Sequence, residues 1–167
     1  MCTFSPIPDW VSGYVVVLSA VGGLVAYLID KYRDREARRV ELTWNKTQVI
    51  LKLAENFSND KQCQNALRII QFKEESLKKL LGDKKSLTPL EIQDRLAVDR
   101  FLDFFDYLYH IVFKTKALEP IDFQCFLWYL RIIKDTPELK KYVDVEENGF
   151  KDVLILYNAI QEATDKE

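Results

Sequence analysis

One histidine, His110, and three scattered cysteines, Cys2, Cys63 and Cys125, are all this chain offers of the side chains most used to bind metals or attack substrates. With no CxxC pair and no clustered His, neither a zinc site nor a disulfide framework is expected, and the thiols read as buried or idle in a reducing compartment. No GxSxG, P-loop, HExxH or glycine-rich phosphate loop is present, so few routes to catalysis remain. Glycine is also scarce. Three of the five glycines (Gly13, Gly22, Gly23) fall in the first thirty residues, and only Gly82 and Gly149 follow. A β-rich domain needs more turn glycines than that, and the expected fold is all-α.

A further absence is local. From Val11 to Ile29 nineteen residues pass without a charge, enough for a helix of about 28 Å that matches the hydrocarbon thickness of a bilayer. The preceding tail, residues 1–10, has two prolines and no basic residue. It lacks the positive n-region and small-residue cleavage site of a removable signal peptide, so the stretch reads as a retained signal anchor. Trp10, Tyr14, Tyr27 and Tyr32 lie near the two ends of the span, where amphipathic rings favour headgroups. Beyond it Lys31, Arg33, Arg35, Arg38 and Arg39 face only Asp34 and Glu36. That basic excess predicts an N-out, C-in topology in the plasma (inner) membrane, with the main domain in the cytoplasm. The same five side chains are candidate contacts for anionic lipid headgroups. Residues 40–167 carry 19 basic and 22 acidic side chains, which leaves no basic face for nucleic acid.

Within the span Ser19, Gly22, Gly23 and Ala26 share one helical face and form a candidate packing surface for a homo-oligomer, although glycine and alanine are common in membrane helices in any case. The expected organisation is a tail (1–10), a transmembrane helix (11–29), a basic neck helix (30–57) and a helical domain (58–167), the last a bundle of about five helices. Along the neck Val40, Trp44, Thr47, Leu51, Ala54 and Phe57 recur at helical spacing and predict its packing face. Asn45-Lys46-Thr47 matches a glycosylation sequon, but on the cytoplasmic side it reads as chance. Cys63, Ala66, Leu67, Ile70, Leu77 and Leu80 predict a second helix over 60–81, ended by Gly82. Thr88-Pro89-Leu90-Glu91 opens a third with a capping box and a first-turn proline, running to about Phe113.

On that third helix Phe101, Phe104, Phe105, Leu108, Ile111 and Val112 cover one side, and Asp99, Asp103, Asp106 and His110 form a narrow stripe opposite. Three carboxylates and the sole histidine on one face admit two readings, a metal-dependent enzyme or a solvated face. The position opposite the core favours water, and no metal, cofactor or catalytic residue is assigned. Pro120, Pro137 and the turn Asn148-Gly149 mark further helix boundaries. Phe123, Phe126, Leu127, Leu130 and Ile133 point inward from one of these helices, and Phe150, Val153, Leu154, Tyr157 and Ile160 from the last.

The order of parts, with the pair FLDFFDYLYHIVFKTKAL and EPIDFQCFLWYLRIIKD, resembles a family of small bacterial single-pass membrane proteins known only as a domain of unknown function. Phe101, Phe104, Phe105 and Asp106 carry the first half of the resemblance, Asp122 and Phe126 the second. Asp106 stands where glutamate is usual, and the loop before Ile121 lacks the usual glycine. The resemblance implies this architecture and brings no activity. Three function classes remain: a membrane-anchored protein-interaction module (adaptor, sensor or accessory subunit), a membrane-anchored stress or phage-response effector, and an enzyme. The first is favoured, with the bilayer and an unidentified protein as partners.

Overall fold

The computed structural model describes the backbone of residues 9–82 and 87–166 and, within these, the side chains from residue 23 onward with Glu74 excepted. Among these residues every regular element is helical: α1 (Asp9–Asn59), α2 (Lys61–Phe72), α3 (Glu74–Leu81), α4 (Pro89–Tyr109), α5 (Leu127–Asp135), α6 (Pro137–Asp144) and α7 (Asp152–Thr164). A π turn (His110–Thr115) extends α4, and a 3-10 segment (Pro120–Phe126) leads into α5. The all-α expectation holds.

The chain divides into two compact units, residues 1–45 and 46–167, and the boundary falls inside the stretch read as the neck. In the first unit every described side chain from Leu24 to Asn45 is exposed. Among the described residues no helix is long and apolar enough to cross a membrane. The expected span 11–29 falls largely outside the described side chains.

The second unit has a continuous core with α4 at its centre, against α2 and α7. Its start follows the sequence closely. Thr88 caps α4, its hydroxyl accepting from the Glu91 N–H while Glu91 reaches back to the Thr88 N–H at 2.8 Å, and Pro89 sits in the first turn. Phe101, Phe105, Leu108 and Val112 are buried as expected, with Phe104 and Ile111 half-buried. Phe57, near the end of α1, stands 4.6 Å from Phe104, 4.9 Å from Tyr129 and 6.0 Å from Phe126, centroid to centroid.

Three expectations change. The packing face of α1 in this unit is Lys46, Ile50, Leu53, Ala54 and Phe57, whereas Thr47 and Leu51 stay exposed. Two apolar stripes run along α1, roughly 100° apart on a helical wheel, and the one carrying Ile50 and Leu53 in phase with Phe57 enters the core. The helix expected over 60–81 is broken at Lys73 (φ −135°, ψ 56°). Continued without a break, the buried positions 66, 70, 77 and 80 would bring Lys73 onto the same stripe, and the break leaves that cation exposed. Finally, the helix expected to reach Phe113 turns to π geometry at His110 and stops at Lys116, a left-handed residue with φ 53°.

Candidate functional site

The acidic stripe of α4 does not all meet water. Asp103 is exposed and Asp106 half-buried, the latter 3.6 Å from His110 one turn on. Asp99 is half-buried, and its carboxylate accepts a 2.8 Å hydrogen bond from the Tyr142 hydroxyl of α6. Loss of hydration pushes the Asp103 carboxyl above the usual aspartate range, and the charge on Asp99 adds to it. Asp106 moves the same way for the same first reason, against the pull of His110. Among the described residues no three His, Cys, Asp or Glu side chains converge as a metal site requires.

Behind the stripe lies a charge that the wheel argument overlooked. Arg95 of α4 is only 7% exposed. One terminal nitrogen donates to the carbonyls of Leu80 (2.9 Å) and Gly82 (3.3 Å), the other to the Tyr142 hydroxyl (3.2 Å). Its guanidinium also lies over the Tyr142 ring, 5.2 Å from the centroid. The end of α3 presents carbonyls with no intrahelical partner and the negative pole of its dipole, and a buried guanidinium satisfies both. The relay therefore runs from the α3 terminus through Arg95 and Tyr142 to Asp99, joining three helices. Burial raises the Tyr142 hydroxyl pKa, and its bond to Asp99 raises it further, so it stays a donor. The signal was present in the sequence: Arg95 lies three residues before Val98 and seven before Leu102, on the buried side of the wheel.

A groove of about 930 Å³ opens beside this relay, with Lys78, Glu138, Lys141 and Asn148 in its wall. Arg95 Nε and one Glu138 oxygen find no hydrogen-bond partner among the described residues, but both atoms are closed off from the groove surface. The groove thus presents lysines and an amide together with Glu138 and Glu147, and Arg95 and Tyr142 of the relay also line it. Away from this groove, burial first, and then Asp60, push the Cys63 thiol up to about 11.

The first unit holds the remaining residues singled out from the sequence. Gly23 and Ala26 are exposed, and a Cβ built on Gly23 meets nothing within 4 Å, while for Ser19 and Gly22 only the helical backbone is described. The five basic residues divide by face. Lys31, Arg35 and Arg38 line one shallow groove with Tyr27, and the Lys31 ammonium stands 5.6 Å from that ring's centroid. Arg33 lies in a second groove with Ala37, Val40 and Trp44. No protein-family model, curated protein or solved structure matches this chain.

Proposed function

We propose that the protein is a membrane-anchored helical module, spanning the plasma (inner) membrane once through residues 11–29, whose folded unit binds a partner protein in the cytoplasm without catalysing a reaction. One observation carries this reading. From Leu24 to Trp44 the chain exposes large apolar side chains, with Leu24 60%, Leu28 55%, Val40 63% and Trp44 62% exposed, and its own fold covers none of them. Apolar surface of this extent is what lipid and partner proteins cover. Lys31, Arg33, Arg35, Arg38 and Arg39, placed just after the charge-free stretch, supply both the topology signal and contacts to anionic headgroups.

The test is extraction and labelling. The chain is expected to stay in membranes through an alkaline carbonate wash. A cysteine placed at Ser86 is expected to be protected from an impermeant thiol reagent in intact cells, while one at Ser5 is labelled. Release by carbonate, or the opposite labelling, defeats the anchor or the topology. Purification in detergent with the anchor intact is expected to bring down one stoichiometric protein partner.

A further inference from the structure

Four side chains of α4, Arg100, Asp103, Phe104 and Tyr107, share one face of the helix and form a wall opposite the end of α1 and the start of α2. The pocket they enclose holds about 330 Å³, at the small end of ligand pockets and of a size for one extended side chain. Its floor is apolar. Phe57 and Cys63 are buried there, and Phe104 is half-buried with its ring centroid 4.6 Å from that of Phe57. Of the three charges in the walls, two neutralise each other. Asp60 caps α2 with one oxygen, which accepts from the Gln62 N–H (2.8 Å) and the Cys63 N–H (3.2 Å), and its other oxygen takes Arg100 Nε at 3.3 Å. Asp103 is left over, with no hydrogen bond or ion pair to its carboxylate among the described residues.

The fold itself gains nothing from that charge. Lost hydration and the nearby Asp99 both push the Asp103 carboxyl up, and the attraction of Arg100 does not offset them. A charge kept at a cost to the fold is characteristic of binding sites. We propose that the pocket takes an ammonium or guanidinium head carried on an apolar chain, with the stem against Phe104 and Tyr107 and the head paired with Asp103. Cations are attracted to the faces of aromatic rings, and the methylene stems of lysine and arginine cover apolar surface while their heads stay near water. Asp103 and Tyr107 are the exposed members of the α4 wall beside Arg100, so a head resting there keeps its contact with solvent. The source is a basic side chain of the partner protein, a step that rests on the module reading. Ile92 and Leu96 continue the same outward face towards the start of α4 and are 45% and 55% exposed. A protein would cover that apolar surface, and a free amine would leave it bare.

The full chain in detergent micelles, titrated with Nα-acetyl-lysine amide and with its uncharged isostere Nα-acetyl-norleucine amide, tests the pocket without the partner. The lysine amide is expected to shift the ring resonances of Phe104 and Tyr107 saturably, and the norleucine amide to bind more weakly. Asp103→Asn is expected to weaken the lysine amide by up to about fivefold, the range of an exposed ion pair. Asp103→Lys is expected to abolish its binding, with melting curves of both variants showing that the fold is kept. Equal binding of the two amides, no saturable binding of either, or binding of the lysine amide that is indifferent to Asp103→Lys overturns the pocket. The source is read separately. Where the parent captures a stoichiometric partner from detergent-solubilised membranes, Asp103→Lys is expected to lose it. Capture that survives this substitution while lysine amide binding is lost overturns the partner side chain and assigns the pocket to a free amine. If the parent captures no partner while the lysine amide binds, the module reading fails and the pocket stands.

Discussion

Trp44 and Phe57 belong to the same helix, thirteen residues apart, and have opposite fates: Trp44 is 62% exposed and Phe57 2%. Both are large aromatic residues on apolar stripes, so residue type does not separate them. What separates them is whether the chain itself supplies a covering surface. Around Phe57 it does, with Phe101, Phe104, Phe105, Phe126 and Tyr129 all within 6.0 Å, centroid to centroid. Around Trp44 it supplies none. The contrast teaches that periodicity identifies a face that wants covering without saying what covers it. In one unit the answer is this chain's own core, and in the other no described residue of the chain supplies it.

The sharpest way to break the comparison is to truncate both rings. Phe57→Ala is expected to cost about 3–5 kcal/mol, because transfer energy is lost and a cavity remains among rings that cannot fully close on it. Trp44→Ala is expected to leave the folded unit within about 0.5 kcal/mol of the parent. Thermal unfolding of the full chain in detergent, followed through the near-ultraviolet aromatic signal, reads both. Similar losses in the two variants would mean that the two stripes do not differ in burial.

A smaller effect is expected at Arg95, where the core accepts a charge. Arg95→Leu fills part of the volume but strands the carbonyls of Leu80 and Gly82 and leaves the Tyr142 hydroxyl only its bond to Asp99, so a loss of about 1–3 kcal/mol is expected. Tyr142→Phe removes the link between Arg95 and Asp99 but leaves the carbonyls of Leu80 and Gly82 satisfied, and should lose less. If Arg95→Leu proves as stable as the parent, the guanidinium does not hold the end of α3.

The sequence was most legible where the determinants are local. Thr88, Pro89 and Glu91 satisfy one another within four residues, and the start of α4 follows from them alone. The core face of α4 was also legible, because its rings repeat in phase over three turns. The packing face of α1 was not, since two stripes compete there and only the rest of the fold selects Ile50 and Leu53. Lys73 was readable in principle, as a cation on a buried phase, but the continuous apolar pattern on either side masked the break. At the acidic stripe the wheel correctly placed Asp103 towards water. It missed that Asp99 is claimed by α6, because no rule of spacing within α4 announces a tyrosine 43 residues away.

The smallest expected effect sharpens the comparison within that stripe. Asp99 has a donor in Tyr142, whereas Asp103 one turn later loses hydration and gains the repulsion of Asp99. Its folded-state pKa is raised, so between the ordinary aspartate value of about 3.9 and neutrality the folded chain holds its proton more tightly than the unfolded one. Stability contributed by that proton is fully present below the unfolded pKa and is lost as pH rises through the folded pKa. Asp103→Asn removes the charge without changing the shape. It is therefore expected to stabilise the protein slightly at pH 7, by no more than about 0.5 kcal/mol given its exposure. The gain should fade as pH falls below the aspartate range. Asp99→Asn is expected to move the other way at pH 7, because it weakens the acceptor that holds Tyr142 and with it Arg95. Paired melting curves at pH 7 and at pH 3 decide the matter: equal shifts for the two asparagine variants would mean that the stripe is one uniform solvated face after all.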